Sequence, residues 1–222
     1  MPQIVPAHSL ELHEVEARFG LRQVSEPSFF PEWQNVEIEL DERDRYWLDK
    51  AKDNFLSLIK FRLHEEVVKI SVLAPLLAVS GLGSVPFVPK AEKQVEVSFL
   101  SQESGGEDEI IRGRIDLLVM YRNLWVVTIE TKPQQSDVLE ALPQALTYMM
   151  ASSEERFPLF GLLTNGRHFM FVKLLRQAQP VYGLSELFTL FKQRNEMYQV
   201  ATVLQQLGRL VMQQDWDSQK VG

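Results

Sequence analysis

Two runs near the middle of the chain, Ile110–Met120 and Leu124–Ile129, are β-branched and apolar on both parities. A strand that meets solvent on one face alternates polar with apolar residues, so runs without that alternation read as strands covered on both sides. Covering both faces of a sheet takes two further layers, and the flanking sequence offers helices to build them. After Asp41, a residue suited to cap a helix N-terminus, Trp47, Leu48, Ala51, Phe55, Leu58 and Ile59 recur at three- and four-residue intervals. A second helix is expected from about Leu63 to Leu77, bent or restarted at Pro75 and closed by Gly81 and Gly83. Ser136–Ala151 reads as a third, with Pro143 imposing a kink or a late start, and Ser185–Gln214 as a fourth carrying Val200, Val203, Leu204 and Leu207. Val95, Val97 and Phe99 alternate with polar residues before a turn region at Gly105-Gly106. Leu159–Thr164 and His168–Leu174 flank the hairpin signal Asn165-Gly166. The order of helix, strands, helix, strands, helix predicts an α/β or α+β sandwich around a mixed central sheet.

At 222 residues the chain suits one domain with elaborations. Its expected parts are an accessory arm over 1–40, a core over 41–182 and a helical extension over 183–222 packed on that core. Within the arm, Leu10–Phe19 reads as a short helix, and Phe29, Phe30 and Trp33 as aromatics that pack by their rings. The absence of cysteine excludes a disulfide framework, a thiolate nucleophile and cysteine-ligated zinc, and fits a reducing cytosol. No signal-peptide pattern opens the chain and no apolar stretch reaches the ~18 residues of a membrane span, so a cytoplasmic protein is expected. The net charge of −7, from 23 Lys+Arg against 30 Asp+Glu, argues against a protein that coats DNA regardless of sequence. It leaves room for an acidic metal site, whose formal charge a bound cation reverses locally, and for a partner subunit that brings basic surface.

Three ionisable residues interrupt the most apolar strands: Asp116 in Arg114-Ile115-Asp116-Leu117-Leu118, and Glu130 and Lys132 in Val127-Thr128-Ile129-Glu130-Thr131-Lys132. Charges in such strands need a compensating reason. Residues two apart on a strand share a face, so Glu130 and Lys132 emerge together. Asp116 comes opposite Glu130 if Tyr121 faces Trp125 across a three-residue turn. A two-residue turn at Arg122-Asn123 achieves the same only with a β-bulge. Two carboxylates converging with one lysine form an oxygen-lined site for Mg²⁺ or Mn²⁺ beside a positive charge for phosphate, which is the chemistry of phosphodiester hydrolysis.

At these residues the sequence resembles the PD-(D/E)xK nuclease superfamily, with Asp116 as the first acid and Glu130-Thr131-Lys132 as the E-x-K tripeptide. Gln144-Ala145-Leu146-Thr147-Tyr148 fits the Q-x-x-x-Y motif of its RecB-like branches. A more specific resemblance, over Glu65 to Lys173, is to the N-terminal nuclease domain of type I restriction enzyme R subunits and their stand-alone bacterial, including cyanobacterial, relatives. Its segments are Glu65-Glu66-Val67-Val68-Lys69 running to Pro75-Leu76-Leu77, Gly113-Arg114-Ile115-Asp116, Glu130-Thr131-Lys132 and Leu163-Thr164-Asn165-Gly166-Arg167. The resemblance implies a restriction-endonuclease-like three-layer sandwich that cleaves DNA. It implies that Asp116, Glu130 and the Thr131 carbonyl bind the metal, and that Lys132 orients or activates water. Glu65 completes the site, chosen over Glu66 by its ten-residue spacing to Pro75, although a one-residue shift would exchange the two. The resemblance further implies that Gln144 steadies the site and Tyr148 approaches the nucleic-acid backbone, and Arg114, Arg112 and Arg167, the nearest basic residues in sequence, are the candidates to hold phosphate. These 222 residues are too few to hold the helicase motor of a full R subunit, and no G-x-x-x-x-G-K-[ST] loop occurs in them, so no ATP-driven translocation is expected of them.

Blander readings stand beside these. Any one of Asp116, Glu130 and Lys132 alone would suit a strand-end charge or a salt bridge, and the joint pattern is what favours a site. Glu65-Glu66 alone is a solvated helical turn. His64 and His168 have no partners at ligand spacing and read as structural. The apolar face of the C-terminal helix reads as core or as a homodimer surface. A nuclease fold that binds nucleic acid or a protein partner without cutting is the alternative function, and RNA stays open beside DNA because the site reads phosphate rather than sugar.

Overall fold

A computed structural model describes residues 3–32, 39–99 and 109–221. In chain order its elements are β1 (Gln3–Pro6), α1 (Leu12–Phe19), β2 (Arg22–Val24), α2 (Glu42–Leu58), α3 (Glu65–Val68), a π-helical turn over Lys69–Leu73, and α4 (Ala74–Val79). There follow β3 (Phe87–Phe99), β4 (Glu109–Tyr121), β5 (Leu124–Thr131), α5 (Leu142–Met150), β6 (Leu159–Thr164), β7 (His168–Leu175), β8 (Val181–Leu184), β9 (Phe188–Thr189) and α6 (Met197–Val221).

The described strands form one sheet in the order β1-β4-β5-β6-β7-β8-β2, with β3 also paired to β4 and β9 to β7. The pairs β1/β4, β5/β6 and β2/β8 are parallel and the rest antiparallel, so the sheet is mixed as expected. On one face α2, α4 and α6 bring Leu48, Phe55, Leu76, Leu204 and Leu207 against Val127, Ile129, Leu162 and Phe171. On the other, α1 and α5 bring Val15, Leu142, Leu146 and Tyr148 against Ile111, Ile115, Leu118, Leu163 and Leu174. The two-sided apolar runs are therefore the middle layer of a three-layer sandwich, and both faces of β5 and β6 are buried.

Local chemistry sets several boundaries. Asp41 caps α2, its Oδ1 accepting the Asp44 N–H at 2.7 Å. Of the periodic residues on α2, Leu48, Ala51 and Phe55 are buried, while Trp47 and Leu58 are exposed. The helix expected over 63–77 passes through the π turn with helical backbone throughout, the Ala74 N–H donating to the Lys69 carbonyl, and Pro75, which has no N–H to donate, directly follows this widened turn. Pro143 likewise sits at the start of α5, after a 3₁₀ turn over Val138–Ala141, so the late start is the one observed. The C-terminal helix begins at Met197 rather than Ser185, because Phe188 and Thr189 pair with β7 instead. Residues 1–40 contribute β1 and β2 to the sheet. Trp33, Gly105 and Gly106 lie outside the described residues. Among the described residues no helix is long and apolar enough to cross a membrane.

Candidate functional site

The site forms where β4 and β5 part. Tyr121 faces Leu124 across the two-residue turn Arg122-Asn123, and the register then shifts: Met120 pairs with Trp125, but Val119 pairs with Val127. Val126 is the extra residue of a β-bulge, one of the two arrangements expected from the sequence, and the shift brings Leu117 opposite Ile129. One step further lie Asp116 and Glu130, where side chains take over from the ladder. The Asp116 N–H donates to Glu130 Oε1 at 3.2 Å, and the Thr131 N–H donates to Asp116 Oδ2 at 2.7 Å. Each carboxylate thus accepts the amide that the parting strands would leave unpaired. The Thr131 hydroxyl also donates to Asp116 Oδ2, at 2.7 Å.

Glu130 is 0% exposed and its Oε2 is buried without a hydrogen-bond partner. Burial, reinforced by the charge of Asp116, pushes its carboxyl well above the usual carboxylate range. Glu65, at the start of α3, is half-buried; burial and then Asp116 raise its carboxyl, with Lys132 and Lys69 opposing. Glu66 is exposed. Of the two adjacent acids, Glu65 is therefore the one that feels the site.

Lys132 follows the end of β5, and its Nζ donates to Gln144 Oε1 of α5 at 3.1 Å. Gln144 Nε2 donates to the Tyr148 hydroxyl at 2.9 Å, and the same oxygen accepts the Arg114 N–H at 3.0 Å. The tyrosine oxygen thus orients the amide so that its carbonyl faces the lysine. Tyr148, expected at the nucleic-acid backbone, is instead 1% exposed, and its hydroxyl is spent inside the protein. Burial, followed by the charge of Glu130, lifts that hydroxyl to about 12.

The expected phosphate-holding arginines are dispersed. Arg114 Nη1 pairs with Glu92 at 3.3 Å, and Arg112 Nε with Glu96 at 2.8 Å. Arg167 lies in the β6–β7 turn with a buried, unpartnered Nε. His168 packs edge-on against Phe191, and His64 is exposed at the N-terminus of α3.

Two residues at the site escaped sequence reasoning. Lys69, one helical turn after Glu65, reaches Asp116 Oδ1 at 3.0 Å and Glu92 Oε1 at 3.5 Å. Burial alone would lower its pKa, but its hydrogen bond to Asp116 and the charges of Asp116, Glu92 and Glu65 outweigh that and raise it. The i, i+4 spacing to Glu65 was the available signal. Glu92 lies across from Asp116, between the pairs Ala91–Leu117 and Lys93–Ile115, with φ of +53°. No sequence pattern marks it, because the β3–β4 register is non-local.

The donor set suits a hard cation in part. Two carboxylates meet, and one buried oxygen is unpartnered, a cost that a bound cation would relieve. Yet both oxygens of Asp116 are engaged, and among the described residues no group of three or more His, Asp or Glu side chains is arranged to hold a metal ion.

No protein-family model matches the chain, and no curated protein does. Among solved structures it is similar to a fragment assigned as an HsdR subunit of a type I restriction enzyme from Vibrio vulnificus YJ016, at 19% identity and a TM-score of 0.40. The match covers 64% of this chain and 26% of that one, so the chain spans about a quarter of that structure's length.

Proposed function

We propose that the chain is a metal-dependent nuclease that hydrolyses phosphodiester bonds of DNA. The observation that carries this reading is the meeting of Asp116 and Glu130 where β4 and β5 part, with one buried carboxylate oxygen unpartnered and Lys132 tethered alongside. Asp116, Glu130 and the Thr131 carbonyl would hold Mg²⁺ or Mn²⁺, with Glu65 adding negative charge from α3. Such an ion, when bound, polarises a phosphate oxygen and eases deprotonation of water. Lys132 would offer a point positive charge to a phosphate oxygen or the attacking water, and Gln144, fixed by Tyr148, holds its ammonium in place.

A second reading, a nuclease-like domain that binds DNA or a partner protein without cutting, is favoured by one observation: Lys69 and Thr131 already satisfy both oxygens of Asp116. Cleavage of supercoiled plasmid with Mg²⁺, Mn²⁺ or EDTA, beside Lys132→Ala and Glu130→Ala, decides between the two. Metal-dependent cutting that both substitutions abolish is expected. Failure to cut, together with no thermal stabilisation by Mn²⁺, would overturn the enzyme reading; a cation at 100 times its Kd adds about 2.7 kcal/mol to the folded state.

A further inference from the structure

We propose that Lys69 and Arg114 form a seat for one nucleic-acid phosphate beside Asp116, and that the Glu92 carboxylate fills this seat in the free protein until a phosphodiester displaces it. The inference rests on the nucleic-acid reading of the same site and adds to it a phosphate position and a built-in competitor.

Glu92 spans two cations with one oxygen on each. Its Oε1 lies 3.5 Å from Lys69 Nζ, and its Oε2 lies 3.3 Å from Arg114 Nη1. The two non-bridging oxygens of a phosphodiester can make the same pair of contacts, and guanidinium groups favour them. Because Glu92 stays attached to β3, displacement adds one negative charge locally and turns its carboxylate out to solvent, a cost kept small by its exposure and absent once the residue is neutral.

The seat is accessible and loosely held. The side chains of Glu92 and Arg114 are 53% and 56% exposed, and exposed ion pairs contribute little. The backbone of Glu92 has φ of +53°, a left-handed conformation that residues with a Cβ avoid, at the position facing Asp116 where the β3–β4 register skips a pair. The carboxylate is therefore presented at the candidate active site by a local break in the ladder rather than by regular strand geometry. Lys69 ties the seat to the site, because its Nζ also contacts Asp116 Oδ1 at 3.0 Å. A phosphate held by Lys69 and Arg114 would lie next to the paired acids.

The test is the affinity of the full chain for a short labelled DNA duplex in EDTA, by fluorescence anisotropy across a salt series, with inorganic phosphate as competitor. Glu92→Gln keeps the shape and removes the competing charge, and is expected to tighten binding about 3- to 10-fold. Lys69→Gln is expected to weaken binding and to lower the slope of log K against log salt by about 1. In the double variant most of the gain from Glu92→Gln disappears. Circular dichroism checks that each variant is folded. Unchanged or weaker binding by folded Glu92→Gln, or an unchanged salt slope in folded Lys69→Gln, overturns the seat. The readout involves no cleavage: tightening in a protein that neither cuts nor is thermally stabilised by Mn²⁺ would leave the seat standing and remove the enzyme reading, and cutting without tightening would do the reverse.

Discussion

Replacing Gly113 with alanine tests the tether that holds Lys132. A Cβ at this position would stand 2.5 Å from both Cε1 and the hydroxyl oxygen of Tyr148, and 2.8 Å from Cβ of Ala7. Non-bonded carbons rest at roughly 3.5–4.0 Å, so the buried ring has to move by about 1 Å or more. Overpacking of this kind costs about 1–3 kcal/mol. Movement also breaks the bonds that the Tyr148 oxygen accepts from Arg114 N–H and Gln144 Nε2, each contributing roughly 1 kcal/mol. The expected loss is thus about 3–5 kcal/mol, a large share of a typical domain's stability, and urea unfolding measures it. Tyr148→Phe removes the hydroxyl and its two bonds, so Gly113→Ala should cost less in that background, a non-additivity of at least about 0.5 kcal/mol. In the cleavage assay Tyr148→Phe should lower kcat about 10- to 100-fold with KM little changed, because it frees Gln144 and misplaces the lysine without touching substrate. A Gly113→Ala protein within about 0.5 kcal/mol of the parent, or additive double-variant energies, would refute this account of the tether.

Two further outcomes follow from charges held inside the sandwich. Burial and Asp116 hold the Glu130 carboxyl above its usual 4.5, so the folded state binds this proton more tightly than the unfolded chain does. Its stabilising contribution is present below pH 4.5 and is lost as pH rises through the folded value, whereas glutamine carries no such dependence; in metal-free buffer the Tm of Glu130→Gln should gain on the parent from pH 4 to pH 8, and an equal difference at both would contradict the assigned shift. Lys173, 5% exposed, donates to Glu32 and to the Phe29 carbonyl (2.8 Å) and lies over the Phe29 ring, so Lys173→Met strands a buried carboxylate and should cost about 3–5 kcal/mol in urea unfolding. Adding Glu32→Leu should recover much of that loss, and a single-variant cost below about 1 kcal/mol would show the pair to be inconsequential.

The sandwich was legible where burial leaves a pattern. Apolar residues on both parities of β4 and β5 required cover on both faces, and the spacing of Leu48, Ala51 and Phe55 marked the buried stripe of α2. The pattern failed where non-local pairing overrode it. Leu187, Leu190 and Phe191 have a helical spacing, yet Phe188 pairs with Phe169, and the Leu190 N–H donates to the Arg167 carbonyl at 2.9 Å. The start of α6 did carry a local sign: Asn195 Oδ1 accepts the Met197 N–H at 3.1 Å, as a capping side chain does. The strands β1 and β2 are too short to show a period, and they exist through parallel pairing with β4 and β8, about 100 and 160 positions further along the chain.

At the site, Asp116, Glu130 and Lys132 stood out because ionised groups interrupt apolar strands, whereas their register did not. A bulge at Val126 has no sequence mark, since the extra residue is as apolar and buried as its neighbours Trp125 and Val127 are apolar. Lys69 and Glu92 escaped for a related reason: one depends on how a π turn lies against β4 and the other on the β3–β4 register, and neither is a local property. The bulge nonetheless connects what was read to what was missed. By adding one residue to β5 it sets Asp116 opposite Glu130, at the point where the β4–β5 ladder ends. There the amides of Asp116 and Thr131 lose ladder partners, and the carboxylates of Glu130 and Asp116 accept them. Those bonds hold the two acids close in spite of their repulsion and leave Glu130 Oε2 unpartnered. The bulge thus aligns the acids, and the parting of β4 from β5 supplies the donors that hold them, so two irregularities act on the same pair.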